Sequence, residues 1–157
     1  MIRPARASDA PALWRVWTPV IRDTTAIFHT TERSEEEIAA LTQAGDPFLV
    51  WDEEGEATGF ARCFPFRQGN GYAQAVEHTI LLAPAAQGRG RGRALMEALM
   101  AEARARTKHT MWGAVSAENE AGLAFHRACG FQERGRLPEA GRKWGRWLDL
   151  VLMGRTL

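Results

Sequence analysis

The chain has 157 residues, of which 45% are hydrophobic and 25% are charged, the usage of a soluble globular domain. Its 20 basic and 19 acidic residues give a net charge of +1, so no overall positive field favours nucleic acid or an anionic membrane. No apolar stretch approaches the ~20 residues of a membrane span. Cys63 and Cys129 form no CxxC pair, which favours free thiols over a metal site or a disulfide. We therefore expect one cytoplasmic domain over residues 1–157, with no metal, nucleic-acid or membrane partner.

The hydrophobic pattern predicts strands and helices in alternation along the chain. A strand at "IRP" precedes a helix at "SDAPALWRVWTPVI", and "SEEEIAALTQ" opens a second helix with a capping box of Ser34 and Glu37. The strands "PFLVWD", "TGFARCFPF" and "AVEHTILL" follow, and an Asn-Gly turn signal separates the last two. Helices after Gly92 and from Asn119 then alternate with strands at "TMWGAVS", "FQERGRL" and "RWLDLVLM". This order predicts an α/β fold, with a mixed, mostly antiparallel sheet of six to seven strands and helices on both faces.

The stretch "AAQGRGRGRAL", from Ala85 to Leu95, lies between a predicted strand and a predicted helix. Backbone N–H groups at a helix start have no partner within the helix, and the aligned peptide dipoles make this end positive. Glycines let a phosphate approach the backbone closely, and neighbouring arginines add charge. The position favours pyrophosphate binding over a linker, a disordered nucleic-acid segment or a Rossmann turn. A tight turn with solvated arginines is the alternative that spacing alone leaves open.

Two motifs carry a family resemblance. "QGRGRG" fits the Q/R-x-x-G-x-G/A signature of the GCN5-related N-acetyltransferases, and "NEAGLAFHRACGF" is similar to their second signature. The resemblance implies that the first motif holds the pyrophosphate of acetyl-coenzyme A, and that backbone groups near Ile80 to Leu82 and the Asn119 side chain bind the thioester and the pantetheine arm. The cofactor-binding residues that it implies are Ile80, Leu81, Leu82, Gln87, Gly88, Arg89, Gly90, Arg91, Gly92 and Asn119, with Arg89 and Arg91 as the main side-chain contributors.

A narrower resemblance covers nearly the whole chain. "IRPARASD", "AVEHTILL" and "GRKWGRWLDLVLM" resemble the phosphinothricin and methionine sulfoximine N-acetyltransferases. His126 stands where the broader family has a tyrosine, as this subfamily commonly does. The resemblance implies a homodimer that transfers an acetyl group to the amine of a small amino-acid-like acceptor. A protein N-terminus, lysine or polyamine as the acceptor, and a non-catalytic acyl-coenzyme A-binding module, are the alternatives.

Two residues are candidates for the proton transfers that acetylation of an amine requires. An α-amino group is mostly protonated near neutral pH, so a base is needed. Glu77 is our candidate, because it lies in the strand that precedes the glycine stretch and matches the subfamily's strand glutamate. Strand alternation places His78 on the opposite face, so we expect only one of the two to face the site. His126 can donate to the coenzyme A sulfur or relay the acceptor's proton.

The acceptor pocket is predicted less directly. Phe28 and Arg67 fall where the subfamily builds that pocket, and Tyr72 is close to Arg67 in the sequence. Trp144 and Trp147 can line the pocket or a subunit contact, but core packing is the default expectation for tryptophan. No serine or cysteine has the setting of an activated nucleophile, which favours direct attack of the amine on the thioester.

Overall fold

The computed structural model describes all residues, 1–157, as one seven-stranded sheet with helices on both faces. The strands are Ile2–Pro4 (β1), Phe48–Glu53 (β2), Glu56–Pro65 (β3), Ala75–Leu82 (β4), Thr110–Ser116 (β5), Gln132–Lys143 (β6) and Arg146–Thr156 (β7). The helices are Ala10–Asp23 (α1), Glu35–Gln43 (α2), Arg91–Ala105 (α3) and Glu120–Ala128 (α4). None of the four is long and apolar enough to cross a bilayer.

The sheet order is β1-β2-β3-β4-β5-β7-β6, and every neighbouring pair is antiparallel except β4 and β5. The predicted element order and the mixed, mostly antiparallel sheet are therefore confirmed. The predicted Asn-Gly turn lies in the loop between β3 and β4, where Asn70–Tyr72 forms a short 3-10 helix.

The sheet has a gap at its centre, because its single parallel pair of strands is short. β4 and β5 are paired only from Ala75 to Glu77 on one strand and from Thr110 to Trp112 on the other. Beyond these residues the two strands separate, while β4 stays paired with β3 as far as Leu82. The β5-facing edge of β4 after Glu77 thus has no strand beside it, and its backbone groups are available to a ligand.

Two hydrophobic cores hold the layers together. On one face, α1 and α2 pack on β2 and β3 through a cluster that includes Leu13, Trp17, Ile38, Phe48 and Phe60. On the other, α3 and α4 pack through a cluster that includes Leu95, Leu99, Met111, Leu123 and Val151. Because helices cover both faces, only the gap between β4 and β5 joins the two sides of the sheet.

Local signals in the sequence account for where α2 begins. The Ser34 side chain accepts a hydrogen bond from the Glu37 N–H at 3.1 Å, and the Glu37 carboxylate accepts one from the Ser34 N–H at 2.8 Å. The predicted capping box is confirmed. Asp9 precedes α1 without capping it through its side chain, because its carboxylate binds the Arg3 guanidinium, with both O–N distances at 2.8 Å.

The expectation of core packing for the two late tryptophans is wrong. Trp144 and Trp147 are each 57% exposed, on the hairpin between β6 and β7. The Lys143 ammonium lies 5.2 Å from the Trp144 ring and the Arg142 guanidinium 5.0 Å from the Trp147 ring. Trp144 lies in the tight turn between the two strands, with a φ of +52°.

Candidate active site

A cavity of about 760 Å³ opens where β4 and β5 separate, and we call it the site cavity. Its wall includes side chains from both faces of the sheet, because the missing strand pairing leaves a passage between them. The residues of its wall that carry polar chemistry include Arg33, Arg62, Glu77, His78, Thr79, Ser116, Asn119 and His126. No group of three or more His, Cys, Asp or Glu side chains has the arrangement of a metal site.

Glu77 is the last residue of β4 that pairs with β5, so its side chain lies at the start of the gap. Its carboxylate takes part in none of the protein's ion pairs. Burial raises the pKa of Glu77 above its ordinary value. An unpaired carboxylate with a raised pKa is a stronger proton acceptor than an exposed one.

The expectation that only one of Glu77 and His78 faces the site is wrong, because both line the site cavity. Strand alternation does direct them to opposite faces of β4. Beyond Glu77, however, the gap connects the two faces, so both side chains contribute to one wall. His78 is therefore a site residue that alternation excluded.

His78 and His126 are in direct contact, with their Nε2 atoms 3.0 Å apart. The Nδ1 of His78 is 2.7 Å from the Trp112 carbonyl oxygen, and the Nδ1 of His126 is 2.6 Å from that of Gly122. A carbonyl oxygen only accepts, so both Nδ1 atoms are the donors. Three hydrogen bonds then require three protons, whereas two uncharged imidazoles carry two.

Burial decides how this pair is protonated. It lowers the pKa of both imidazoles, and that of His78 falls to about 3 with the charge of His126 as a further cause. At neutral pH the pair is therefore uncharged and one proton short of its three contacts. The two Nε2 lone pairs face each other at 3.0 Å, so a proton delivered during a reaction would be shared between the rings, and burial would favour its prompt release.

The two rings leave room only for glycine beside them on β5. A Cβ on Gly113 would lie 2.7 Å from the His78 Cε1 atom and 2.8 Å from the His126 Nε2 atom. Both distances are well inside van der Waals contact. A side chain at position 113 would therefore displace at least one ring of the histidine pair.

None of the nucleophilic side chains near the site is activated. Ser116 lines the site cavity, but its hydroxyl has only a 3.4 Å contact with the Glu118 N–H. Cys63 and Cys129 are buried free thiols, and burial raises the pKa of Cys63 to about 12. A hydroxyl without a base and a protonated thiol are poor nucleophiles, so the site favours direct attack by a bound amine.

The glycine turn, residues 87–92, leads from β4 into α3. Gly88 and Gly90 have φ values of +77° and +74°, and Gly90 is the N-cap of α3. None of the backbone N–H groups from 88 to 93 donates a hydrogen bond within the protein, and the first helical bond joins the Ala94 N–H to the Gly90 carbonyl. Six successive free donors at the positive end of a helix form an anion-binding surface.

The arginines of this turn differ in their availability. Arg91 is mostly buried, and its guanidinium donates to the Glu53 carboxylate at 3.1 Å and lies 5.6 Å from the Trp51 ring. Arg89 is exposed and takes part in no ion pair. Of the two predicted side-chain contributors, Arg89 has the free charge, whereas Arg91 anchors the turn to β2.

Gly90→Ala should weaken acetyl-coenzyme A binding by about tenfold, because a left-handed residue other than glycine costs about 1–2 kcal/mol and the turn relaxes away from its anion-binding form. Gly45→Ala is the matched control, since Gly45 also has a positive φ, of +87°, and open space around its Cβ position. Calorimetric titration of both variants with acetyl-coenzyme A measures the difference. Equal affinity in the two variants would contradict an anion-binding role for the glycine turn.

The predicted contacts for the rest of acetyl-coenzyme A lie between this turn and the site cavity. Ile80 and Leu81 line the cavity on the part of β4 that has no pairing with β5. The Leu82 carbonyl accepts a hydrogen bond from the Gln87 side chain at 3.1 Å. Asn119 caps α4 by accepting the Gly122 N–H at 2.9 Å, which leaves its amide NH₂ free at the cavity wall.

The predicted acceptor residues are not brought together. Phe28 lines the site cavity and packs so closely on β6 that a Cβ on Gly141 would clash with its ring. Arg67 and Tyr72 lie on the exposed loop between β3 and β4, with the guanidinium 5.8 Å from the ring, and neither lines the cavity. Arg33 and Arg62 do line it, although sequence reasoning did not single them out.

Comparison with known proteins gives an independent view of this site. The model of the acetyltransferase (GNAT) family matches residues 13–131. The L-amino acid N-acyltransferase MnaT of Escherichia coli (strain K12) is 38% identical over 97% of this chain and 91% of its own length. The L-methionine sulfoximine/L-methionine sulfone acetyltransferase of Salmonella typhimurium is 35% identical, again over 97% of this chain and 91% of its own length. The phosphinothricin N-acetyltransferase of Alcaligenes faecalis is 34% identical over 99% of this chain and 82% of its own.

Solved structures agree with these relatives. An acetyltransferase of Salmonella typhimurium, solved with acetyl-coenzyme A, superposes with a TM-score of 0.95 at 34% identity and covers 100% of this chain and 93% of its own. A ribosomal-protein-alanine N-acetyltransferase of Brucella melitensis has a TM-score of 0.94 at 37% identity, and the match covers 100% of this chain and 99% of that protein's chain. The resemblance inferred from the two sequence motifs is thereby confirmed. This chain belongs to the acetyltransferase (GNAT) family.

Proposed function

We propose that the protein is an acetyl-coenzyme A-dependent N-acetyltransferase that acetylates the amine of a small amino-acid-like acceptor. One observation carries this proposal: the unpaired Glu77 carboxylate and the His78–His126 pair line a single cavity. The unbonded N–H groups of the glycine turn lie at the far end of the same unpaired strand edge. Acetyl-coenzyme A supplies the activated acetyl group, and its pyrophosphate matches the row of donors.

The chain's residues would then divide the proton transfers between them. Glu77 accepts a proton from the acceptor's ammonium group, which frees the lone pair of the amine for attack on the thioester carbon. As the C–N bond forms and the C–S bond breaks, the new amide nitrogen loses a second proton. The histidine pair, one proton short at neutral pH, takes up this proton and returns it to the thiolate. One proton per turnover thus leaves the site through Glu77.

Backbone donors on the open edge of β4 would stabilise the negative charge that develops on the thioester oxygen. The part of β4 after Glu77 has no strand on its β5 side, so the groups that point there have no sheet partner. Fixed N–H groups in a site that excludes water stabilise an oxyanion more strongly than solvent does. The amide NH₂ of Asn119 is a further donor on the same cavity wall.

The names of the relatives support a small acceptor. The three curated relatives act on L-amino acids, on methionine sulfoximine or sulfone, and on phosphinothricin, and each aligns with this chain over at least 97% of it. A second candidate is the N-terminus of a protein, which the Brucella melitensis structure favours through its name. The cavity volume of about 760 Å³ lies within the range of sites for small molecules.

Incubation of the protein with acetyl-coenzyme A and L-methionine sulfone tests the proposal. We expect thiol release that depends on the acceptor, with one N-acetylated product detected by mass spectrometry for each thiol. Thiol release without an acceptor measures hydrolysis and serves as the control. Binding of acetyl-coenzyme A without acetylation of any amine would contradict the proposed function.

We propose further that the protein is a cytoplasmic homodimer. Two buried free thiols support a reducing compartment. Two exposed tryptophans on the hairpin beside the edge strand β6 support a subunit contact there. A dimeric mass by light scattering is expected, and a monomeric mass at micromolar concentration would contradict this assembly.

A further inference from the structure

Two arginines on the wall of the site cavity, the buried Arg62 and the half-buried Arg33, form no ion pair. Arg62 is only 7% exposed, and its Nε atom is buried without a hydrogen-bond partner. The Nε atom of Arg33 is buried without a partner as well. Neither guanidinium takes part in any of the nine ion pairs of the protein. Buried charges are normally paired, so this arrangement calls for an explanation.

Aromatic rings compensate these charges only in part. The Arg62 guanidinium lies 4.7 Å from the centre of the Phe64 ring and 5.7 Å from that of Phe48. The Arg33 guanidinium lies 5.1 Å from the Trp17 ring. Cation–π contacts are weaker than the desolvation of an ion. Burial, followed by the charge of Arg33, lowers the pKa of Arg62, and the smaller opposing effect of the Asp46 charge does not reverse this. The cavity wall thus carries positive charge that an anion would stabilise.

The register of the sheet sets Arg62 beside the candidate base. Arg62 on β3 is paired with Thr79 on β4, and Phe64 is paired with Glu77. Residues two apart on a strand share a face, so Arg62 and Glu77 are diagonal neighbours on the α1–α2 side. Such neighbours have Cα atoms about 7–8 Å apart. One small molecule can therefore contact both side chains.

We propose that Arg62, with Arg33, binds an anionic group of the acceptor while Glu77 receives the proton of its amine. This inference rests on the proposed function and narrows it to acceptors that carry an amine and an anion in one small molecule. The anion is an α-carboxylate or an acidic side-chain group such as a phosphinate, and both present oxygen atoms to a guanidinium. The partly buried Phe28 ring completes the apolar part of the wall.

Calorimetric binding to the protein saturated with unacetylated coenzyme A tests this subsite without any turnover. The probes are L-methionine sulfone, phosphinothricin and the α-carboxamide of each. We expect wild-type protein to bind at least one acid tenfold or more tightly than its amide if the α-carboxylate is recognised. If the phosphinate is recognised, phosphinothricin and its amide bind alike and methionine sulfone binds at least tenfold more weakly.

Arg62→Met keeps a long apolar side chain and removes the charge. It should weaken binding of the recognised anion at least tenfold, leave the other probes within twofold, and leave acetyl-coenzyme A affinity unchanged. Arg15→Met is the matched control, because Arg15 is exposed on α1 and away from the cavity. A purely structural role of Arg62 would lower Tm without changing the ratio between probes.

The subsite is overturned if Arg62→Met binds all four probes as the wild type does, or if the wild type does not discriminate among them. Acetyl transfer is measured separately by thiol release. Absence of transfer together with Arg62-dependent binding would refute the proposed function and leave the subsite standing. Transfer that is unaffected by Arg62→Met would refute the subsite and leave the function standing.

Discussion

Glu77→Gln is expected to lower kcat/KM for the amine acceptor by about 10²- to 10⁴-fold, the range that a general base contributes. Glutamine keeps the shape of the side chain but accepts no proton at neutral pH. Because Glu77 lies away from the glycine turn, the affinity for acetyl-coenzyme A should not change. Steady-state thiol release and calorimetric titration of the same preparation measure the two quantities.

The pH dependence of wild-type kcat/KM provides a second readout for Glu77. Burial raises the pKa of its carboxyl group, and only the ionised form is a base. Activity should therefore fall as the pH drops through a pKa above 4.5, the ordinary value, and this acidic limb should disappear in Glu77→Gln. Glu56→Gln is the matched control, since Glu56 is exposed on β3 and pairs with Arg15. A Glu77→Gln enzyme with more than a third of wild-type turnover would remove Glu77 as the base.

His126→Ala is expected to lower kcat by about 10²-fold or more, because the proton relay to the thiolate is lost. The change also removes the hydrogen bonds of His126 to Gly122 and His78, so a loss of activity alone does not separate chemistry from structure. The imidazole lines the site cavity, and its removal leaves a space that free imidazole can enter.

Rescue by imidazole makes that separation. Added imidazole should raise the kcat of His126→Ala at least tenfold. It should leave the kcat of Glu77→Gln and of the wild type unchanged. His109→Ala serves as the control variant, because His109 is exposed outside the cavity. Turnover of His126→Ala within threefold of wild type would contradict the relay, and so would a large loss that imidazole does not restore at all.

The glycine turn could be predicted because a local motif determines it. Glycines at 88 and 90 permit the left-handed conformations observed there, and the position between a strand and a helix indicates unpaired N–H groups. The roles of its arginines could not be predicted in this way. Arg91 is bound by Glu53 of β2, and no spacing in the sequence indicates that contact.

His78, the partner of the predicted His126, was missed because strand alternation assumes an intact sheet. That rule assigned His78 to the face away from the site, and it would be correct if β4 and β5 stayed paired. The strands instead separate after Glu77 and Trp112, so both faces contribute to one cavity. The glycine that opens the "GAVS" segment is a weak signal of close packing at this position, since only a residue without a Cβ leaves space for the two rings beside Gly113.

Arg62 gives no signal in the sequence. A single arginine in the strand "TGFARCFPF" is ordinarily interpreted as a side chain that extends to solvent. Only the three-dimensional structure shows that Arg62 is buried and that its guanidinium forms no ion pair. Arg67, which the family resemblance favoured, lies instead on an exposed loop. The resemblance singled out Arg67 and not the buried Arg62.

The most direct test of a small amino-acid-like acceptor is a competition in one reaction. L-methionine sulfone, a peptide with an N-terminal alanine and a polyamine are present at equal concentration with limiting acetyl-coenzyme A, and mass spectrometry measures each acetylated product. We expect the amino acid to take the acetyl group with a kcat/KM at least about 100-fold above the others, a difference of about 2.7 kcal/mol in transition-state binding. Preferential acetylation of the peptide or the polyamine would contradict the proposed acceptor class.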